Sequence, residues 1–137
     1  MNNQKNIVLC GVGGQGTVLA SKLLAAAAMS KDIPVMSAET IGMAQRGGSV
    51  FSHLRMGDNL YSPMIETGTA DLIIGFEPGE TVRMLPYLKD HGHIVVSTRA
   101  VKPVTATLSG SDYDAPQMLE YLKAAVPNLT LVNADQA

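Results

Sequence analysis

The sequence predicts an α/β fold: a doubly wound, mostly parallel, Rossmann-like sheet with an inserted β-hairpin. Short apolar segments alternate with segments of helical composition, which is typical of a parallel sheet covered on both faces. A glycine-rich loop, CGVGGQG at 10–16, separates the first such strand from the first helix. Because crossover connections are right-handed, the helices are expected on both faces of the sheet.

The first elements follow from composition. Asn6–Cys10 is a short apolar run that ends at a glycine and predicts a buried strand. Thr17–Ser30 is rich in Ala and Leu and contains no Gly or Pro, so a helix is expected. Ile33–Ser37 predicts a second strand, with Pro34 near its start. A loop with three glycines follows over Thr40–Ser49.

Val50–Met56 alternates with a period of two residues, which predicts a strand. Gly57–Asn59 supplies turn residues, so Leu60–Ser62 is expected to return as the second arm of the hairpin. The remaining elements are, in chain order, a strand at Asp71–Phe76, a helix at Pro78–Lys89, a strand at His93–Thr98, a candidate short strand at Val104–Leu108, a helix at Ala115–Ala125 and a strand at Leu129–Val132.

Size and charge restrict the class of protein. A chain of 137 residues indicates one domain, since domains average about 150 residues. A net charge of −2 and the lack of a Lys/Arg run argue against a nucleic-acid binder. The sequence has no signal-peptide pattern and no apolar run of membrane-spanning length, so we expect a cytoplasmic protein that binds no membrane. Charged residues make up 16%, against about 25% in average domains, which favours a surface that faces another protein.

The glycine loop is the first candidate site. Gly11, Gly13 and Gly16 form a G-x-G-x-x-G motif between a predicted strand and a predicted helix, the context that this motif requires. Gly13 and Gly14 would let a phosphate approach the backbone, and the helix N-terminus would offer free N–H groups to an anion. A phosphate-bearing ligand and an empty packing turn are equally open from these residues alone.

A second loop is predicted to leave the same edge of the sheet. Glu39 follows a predicted strand, at the position where nicotinamide-binding folds carry an acidic residue for the ribose. Arg46 stands next to two glycines and gives a cationic fork that can hold carboxylate or phosphate. The predicted binding residues are therefore Gly11, Gly13, Gly14, Gln15, Gly16, Glu39, Arg46, Gly47, Gly48 and Ser49.

No catalytic residue and no metal site is predicted. The sequence contains neither a G-x-S-x-G elbow nor a phosphate-loop G-K-[ST]. His91 and His93 lack a third ligand nearby, and a single cysteine excludes a cysteine-only zinc or iron–sulfur site within this chain. Glu77 fits best as a residue that faces a helix N-terminus, and Cys10 as a small buried hydrophobe.

Three segments together carry a family resemblance. They are GVGGQG at 11–16, AETIGMAQRGGSVFSHLRMGDNLYSP at 38–63 and ADLIIGFEPGETVRMLPYL at 70–88. In this order they resemble the gamma subunit, or gamma domain, of 2-oxoacid:ferredoxin oxidoreductases. Within that family the small (beta) subunit of indolepyruvate:ferredoxin oxidoreductase is the most similar. The resemblance extends over roughly residues 5 to 135.

The resemblance implies an accessory subunit of an oxygen-sensitive enzyme complex. Such a complex decarboxylates a 2-oxoacid, such as the arylpyruvate indolepyruvate, forms the acyl-coenzyme A and reduces ferredoxin. Thiamine diphosphate and the iron–sulfur clusters are implied to lie in a larger partner subunit. This chain would bind no cofactor firmly and would be inactive alone. The resemblance implies that the loop at 11–16 lies at the shared interface or ligand cleft and that residues 46–49 form the second loop typical of the family. It also implies that the domain helps to accommodate coenzyme A.

The resemblance also bears on the extent of the domain. Members of the family continue into further helical sequence, so residues 1–137 are expected to be a single gamma-like domain that is truncated at its C-terminus. Two alternatives stay open at this point. One is an NAD(P)-binding dehydrogenase domain, and the other is a scaffold module that binds no ligand.

Overall fold

A computed structural model describes residues 4–13, 16–41, 49–100 and 115–133. It contains six strands, three α-helices and one short 3-10 helix in these ranges. They are β1 (Lys5–Val12), α1 (Thr17–Ser30), β2 (Val35–Ile41), β3 (Ser49–Met56), β4 (Ala70–Gly75), α2 (Pro78–Arg83), the 3-10 helix (Leu85–Tyr87), β5 (Leu88–Ser97), α3 (Ala115–Ala125) and β6 (Leu129–Val132).

The six strands form one sheet in the order β2-β3-β1-β4-β5-β6. The contacts of β1 with β4, of β4 with β5 and of β5 with β6 are parallel. Strand β3 runs antiparallel to both of its neighbours, β1 and β2. The predicted mostly parallel α/β sheet with an antiparallel insertion is therefore confirmed.

The predicted return arm of the hairpin is wrong. Leu60–Ser62 lies outside the sheet, and β3 forms its hairpin with the preceding strand, β2. Both edges of β3 are thereby taken, by β1 on one side and β2 on the other, so no edge is left for a third strand. Arg55 instead donates from Nη1 to the carbonyl oxygen of Ser62, at 2.9 Å.

The helices divide between the two faces of the sheet, as a doubly wound fold requires. On the α1 face, Ile7, Leu9 and Leu54 are buried against Ala20, Leu24 and Ala25 of the helix. The opposite face packs against α2 and α3. Its buried residues include Val8, Ile73, Ile94, Val96, Leu122 and Val126.

The local predictions hold best where composition alone decides the structure. The bounds predicted for α1, α3 and β6 are confirmed. The helix predicted over Pro78–Lys89 is too long, because α2 ends at Arg83, and Pro86 cannot continue an α-helix. The strand predicted at His93 begins at Leu88, with a register shift between its partners Ala70 and Leu72. The candidate strand at Val104–Leu108 lies outside the described residues.

Candidate functional site

The topology places a switch point, called the crevice below, at the carboxyl ends of β1 and β4. These two strands are adjacent and parallel, while α1 leaves β1 on one face and α2 leaves β4 on the other. Phe76 N donates to the carbonyl oxygen of Cys10 at 2.8 Å and closes the sheet directly below the crevice. In open α/β folds, ligands bind at this kind of switch point.

The glycine loop forms one wall of the crevice. Gly11 is buried in β1 opposite Val50 of β3, and Gly13 begins the turn. Gly16 has a φ of 89°, a left-handed conformation that glycine adopts without steric cost. It stands at the N-cap of α1 and gives no side-chain hydrogen bond to the helix. The first amide groups of α1 therefore keep their capacity to bind an anion. Gly14 and Gln15 lie outside the described residues.

A buried hydroxyl stands next to this loop. Thr17, the first residue of α1, is 3% exposed, and its Oγ1 has no hydrogen-bond partner within the described ranges. Ser52 Oγ on β3 is likewise buried and has no hydrogen-bond partner among the described residues. Leaving a buried hydroxyl unpaired costs about 1–3 kcal/mol, so such groups usually hold a water molecule or a ligand. Thr17 is thus a candidate site residue that the glycine motif alone did not indicate.

Glu77 forms the second wall as the N-cap of α2. Its side chain is fully buried and accepts a hydrogen bond from Glu80 N at 3.0 Å. Thr81 Oγ1 donates to the carbonyl oxygen of Glu77 at 2.7 Å and reinforces the same turn. The interpretation of Glu77 as a residue that faces a helix N-terminus is confirmed.

Ser49 joins the two walls. Its Cα lies opposite Val12 at the end of β1, and its Oγ donates to Glu80 Oε1 at 2.9 Å. Arg83 donates from Nη1 to Ser49 Oγ at 2.8 Å and lies 3.5 Å from Glu80 Oε2. Sequence reasoning missed Glu80 and Arg83, because their spacing after Pro78 reads as an ordinary exposed helix turn. The glutamates at 77 and 80 are the only local signal.

Cys10 is an inert thiol at the floor of this region. Burial raises its pKa to about 12, and the nearby carboxylates of Glu80 and Glu77 act in the same direction. Its sulfur lies 3.8 Å from Thr81 Oγ1. A thiol with this pKa is neither a nucleophile nor a metal ligand at neutral pH, which agrees with the interpretation of Cys10 as a buried hydrophobe.

Glu39 lies apart from the crevice. It is exposed on β2, opposite Ser52 of β3, and β3 separates it from β1. Two strand spacings amount to about 10 Å. The structure therefore brings together Gly11, Gly13, Gly16 and Ser49 but not Glu39. Arg46, Gly47 and Gly48 lie outside the described residues.

Within the described ranges, no group of three or more His, Cys, Asp and Glu side chains could hold a metal ion. No helix in the same ranges is long and apolar enough to cross a membrane.

The protein is thus an open α/β domain whose crevice lies at the switch point between β1 and β4. The sequence model of a family described as "Pyruvate ferredoxin/flavodoxin oxidoreductase" matches residues 6–136, so the chain belongs to this family. Indolepyruvate oxidoreductase subunit IorB from Archaeoglobus fulgidus is 39% identical over 132 residues. The match covers 96% of this chain and 65% of that relative, so the chain spans a little under two thirds of the relative's length.

Solved structures share the same fold. Pyruvate oxidoreductase subunit PORC from Thermotoga maritima matches with a TM-score of 0.65 at 20% identity, over 97% of this chain and 64% of that chain. A 2-oxoglutarate:ferredoxin oxidoreductase from Magnetococcus marinus, solved with 2-oxoglutarate, coenzyme A and succinyl-CoA bound, matches with a TM-score of 0.66 at 16% identity. That match covers 97% of this chain and 20% of the other.

Proposed function

We propose that this chain is the accessory subunit of a 2-oxoacid:ferredoxin oxidoreductase that acts on an arylpyruvate such as indolepyruvate. The observation that carries the proposal is the family match over residues 6–136, together with 39% identity to an indolepyruvate oxidoreductase subunit. Residues 1–137 form one gamma-like domain of the complex, which works in the cytoplasm. A larger partner subunit holds thiamine diphosphate and the iron–sulfur clusters and passes electrons to ferredoxin.

The contribution of this chain is a surface for the phosphates of coenzyme A. The free amide groups at the start of α1 and the open backbone at Gly16 favour an anion at the crevice. Thr17 Oγ1 supplies a further donor next to them. Ser49, held by Glu80 and Arg83, keeps the end of β3 fixed against α2. The reacting carbon of the 2-oxoacid lies in the partner subunit, so this chain binds and orients without catalysing.

The nicotinamide alternative is not favoured. A dinucleotide site of that kind needs an acidic residue on the strand next to β1, where it can reach the ribose. In this fold the antiparallel strand β3 occupies that place, and Glu39 is one strand further away. A scaffold module without a ligand accounts for the glycine turn, but it supplies no partner for Thr17 Oγ1, which is buried and has none among the described residues.

The proposal is tested first on the complex. The full-length protein, tagged and purified anaerobically from its host, is expected to bring down a larger subunit with brown iron–sulfur absorbance. The preparation should reduce ferredoxin with each 2-oxoacid that it accepts. Of indolepyruvate, pyruvate and 2-oxoglutarate, indolepyruvate should give the highest kcat/KM. A colourless preparation without a partner would contradict the proposal.

A matched pair of glycine variants tests the crevice itself. Gly16 and Gly68 both have a positive φ, and a Cβ at either position meets no atom of the described residues within 4 Å. Replacement by Ala therefore strains both by a similar amount, about 1 kcal/mol. We expect Gly16→Ala to raise the KM for coenzyme A about tenfold with little change in kcat, because its added methyl group stands where the phosphate approaches. Gly68→Ala should leave the KM unchanged, and equal effects would refute the role of the crevice.

A further inference from the structure

A cavity of about 690 Å³ lies at the edge of the sheet opposite the crevice. It lies beside Leu88, where β5 begins, whereas the crevice lies at the carboxyl ends of the parallel strands. Its lining comes from two stretches within the described ranges, 82–92 and 121–127. Cavities that bind small molecules have volumes of about 300–1,000 Å³. The size of this cavity therefore matches that of a small-molecule site.

A β-bulge brings consecutive residues of β5 to this cavity. All of residues 88–92 line it. In a regular strand, neighbouring side chains point to opposite faces, so five consecutive residues would not line one cavity. Here the pairing with β4 shifts its register, and His91 has a φ of 63°. Left-handed backbone is uncommon for a residue other than glycine, and bulges and strained residues occur often beside binding sites.

Part of the cavity wall is apolar. It includes Val82, Leu85 and Val126, and Tyr121 of α3 lines the cavity together with them. Tyr121 is 56% exposed, so its ring is open to a ligand. Aromatic rings attract one another in stacked and edge-to-face arrangements, and they bury a large apolar area. This part of the wall is therefore complementary to an aromatic ring.

Opposite charges stand next to each other on the bulge. The exposed carboxylate of Asp90 has no hydrogen bond and no ion pair within the described ranges. The ammonium group of Lys89 bonds to Asp71, which uses one of its three N–H donors. An unpaired carboxylate beside spare N–H donors is complementary to a ligand that carries an ammonium group and a carboxylate close together.

We propose that this cavity binds an aromatic α-amino acid. The aromatic ring packs against Tyr121 and the apolar wall, the ammonium group bonds to Asp90, and the carboxylate bonds to Lys89. The charge-assisted bonds orient the ligand, and the ring supplies most of the buried area. The site uses no residue of the crevice and no cofactor, so it does not depend on the proposed function.

Equilibrium dialysis of the full-length protein, in the complex that its host makes, against radiolabelled L-tryptophan tests the site. We expect saturable binding, and Tyr121→Ala should raise the Kd about tenfold because the ligand loses its ring contact. Tyr61→Ala is the matched control, since Tyr61 is 89% exposed and does not line the cavity, and its Kd should equal that of the parent. A lack of saturable binding, or equal effects of the two variants, would overturn the proposal.

A change of ligand tests the contact with the ammonium group. Indole-3-propionate keeps the ring and the carboxylate of L-tryptophan but has no ammonium group. Asp90→Asn should therefore raise the Kd for L-tryptophan about tenfold without raising the Kd for indole-3-propionate. Asp58→Asn, at another exposed position, is the control for the loss of one surface charge and should change neither Kd. If Asp90→Asn weakens both ligands equally, or neither, the amino acid is not the ligand of this cavity.

Discussion

At the scale of single residues, His53 has the most constrained environment. It is buried on β3, and its Nδ1 accepts a hydrogen bond from Ile65 N at 2.8 Å. The proton of the neutral ring therefore resides on Nε2, which has no hydrogen-bond partner among the described residues. The ring stands edge-on to Tyr87, with centroids 5.2 Å apart. His53 thus ties the segment after β3 to the sheet without a charge.

This environment predicts acid sensitivity. Burial lowers the pKa of His53 below its usual 6.5, so the unfolded chain binds a proton more readily than the folded protein. The contribution of His53 to the unfolding free energy is complete above pH 6.5. It falls as the pH drops below that value, by up to about 1.4 kcal/mol per pH unit.

Urea denaturation at pH values of about 7.5 and 5.5 measures this effect. His53→Asn keeps an acceptor near the position of Nδ1 but cannot titrate, so it should lose less stability between the two pH values than the parent protein does. His91→Asn, at an exposed position, is the control and should behave like the parent. If His53→Asn retains the full acid sensitivity, another group is responsible.

Residue roles were predictable from sequence only where the partner is close along the chain. Glu77 caps the helix that begins at the next residue, and that role could be predicted. The bonds of Ser49 to Glu80 and Arg83 join residues more than 30 positions apart, and no local pattern indicates them. The binding role of the glycine loop stays a prediction, because sequence and geometry define the site without its ligand.

At the scale of elements, α2 packs unusually close to β4. A Cβ built at Gly75 would lie 1.8 Å from Thr81 Oγ1 and 2.9 Å from Thr81 Cβ. Glycine is therefore required at this position by the close approach of the helix to the strand. The conformation of Gly75 itself is not unusual, so the space alone sets the constraint.

Gly75→Ala should accordingly destabilise the protein by about 2–3 kcal/mol, because the methyl group forces α2 away from the sheet. The free energy of unfolding from urea titration measures the loss. Adding Thr81→Ala removes the nearest atom, so the double variant should recover part of the loss relative to the sum of the single variants. Strictly additive effects would show that the two residues do not press on each other.

The elements that were predicted poorly share a physical cause. Around α2 and β5, tertiary contacts override local preference. Asp90–Gly92 has the composition of a turn, yet it continues β5, with His91 at a φ of 63° and a register shift in the pairing with β4. The bounds of α1 and α3 were predictable because composition and the flanking Gly and Pro residues determine them locally.

At the scale of the whole molecule, the antiparallel strand β3 distinguishes this fold from a nicotinamide-binding one. The alternation of strands and helices predicted a doubly wound sheet, but not that β3 separates β1 from β2. That order depends on pairing between β1 and β3, whose partners lie more than 35 residues apart. Local sequence patterns contain no information on such a choice.

The strand order predicts that NADH does not bind in saturable form. Titration of the full-length protein with NADH, followed by nicotinamide fluorescence, should give the same response for the parent and for Glu39→Ala, since Glu39 lies too far from the glycine loop to reach a ribose bound there. Saturable binding that Glu39→Ala abolishes would restore the dehydrogenase alternative.

The position of β1 in the sheet also determines when the chain can fold on the ribosome. Strand β1 is synthesised first, but its parallel partner β4 pairs Leu72 with Ile7, 65 residues later. At about 5–20 residues per second, the ribosome needs roughly 3–13 s to synthesise those residues. During this time the apolar run from Ile7 to Cys10 has no β4 to cover its edge. The central strand of the finished protein therefore stays without its parallel neighbour on the nascent chain until β4 has been made.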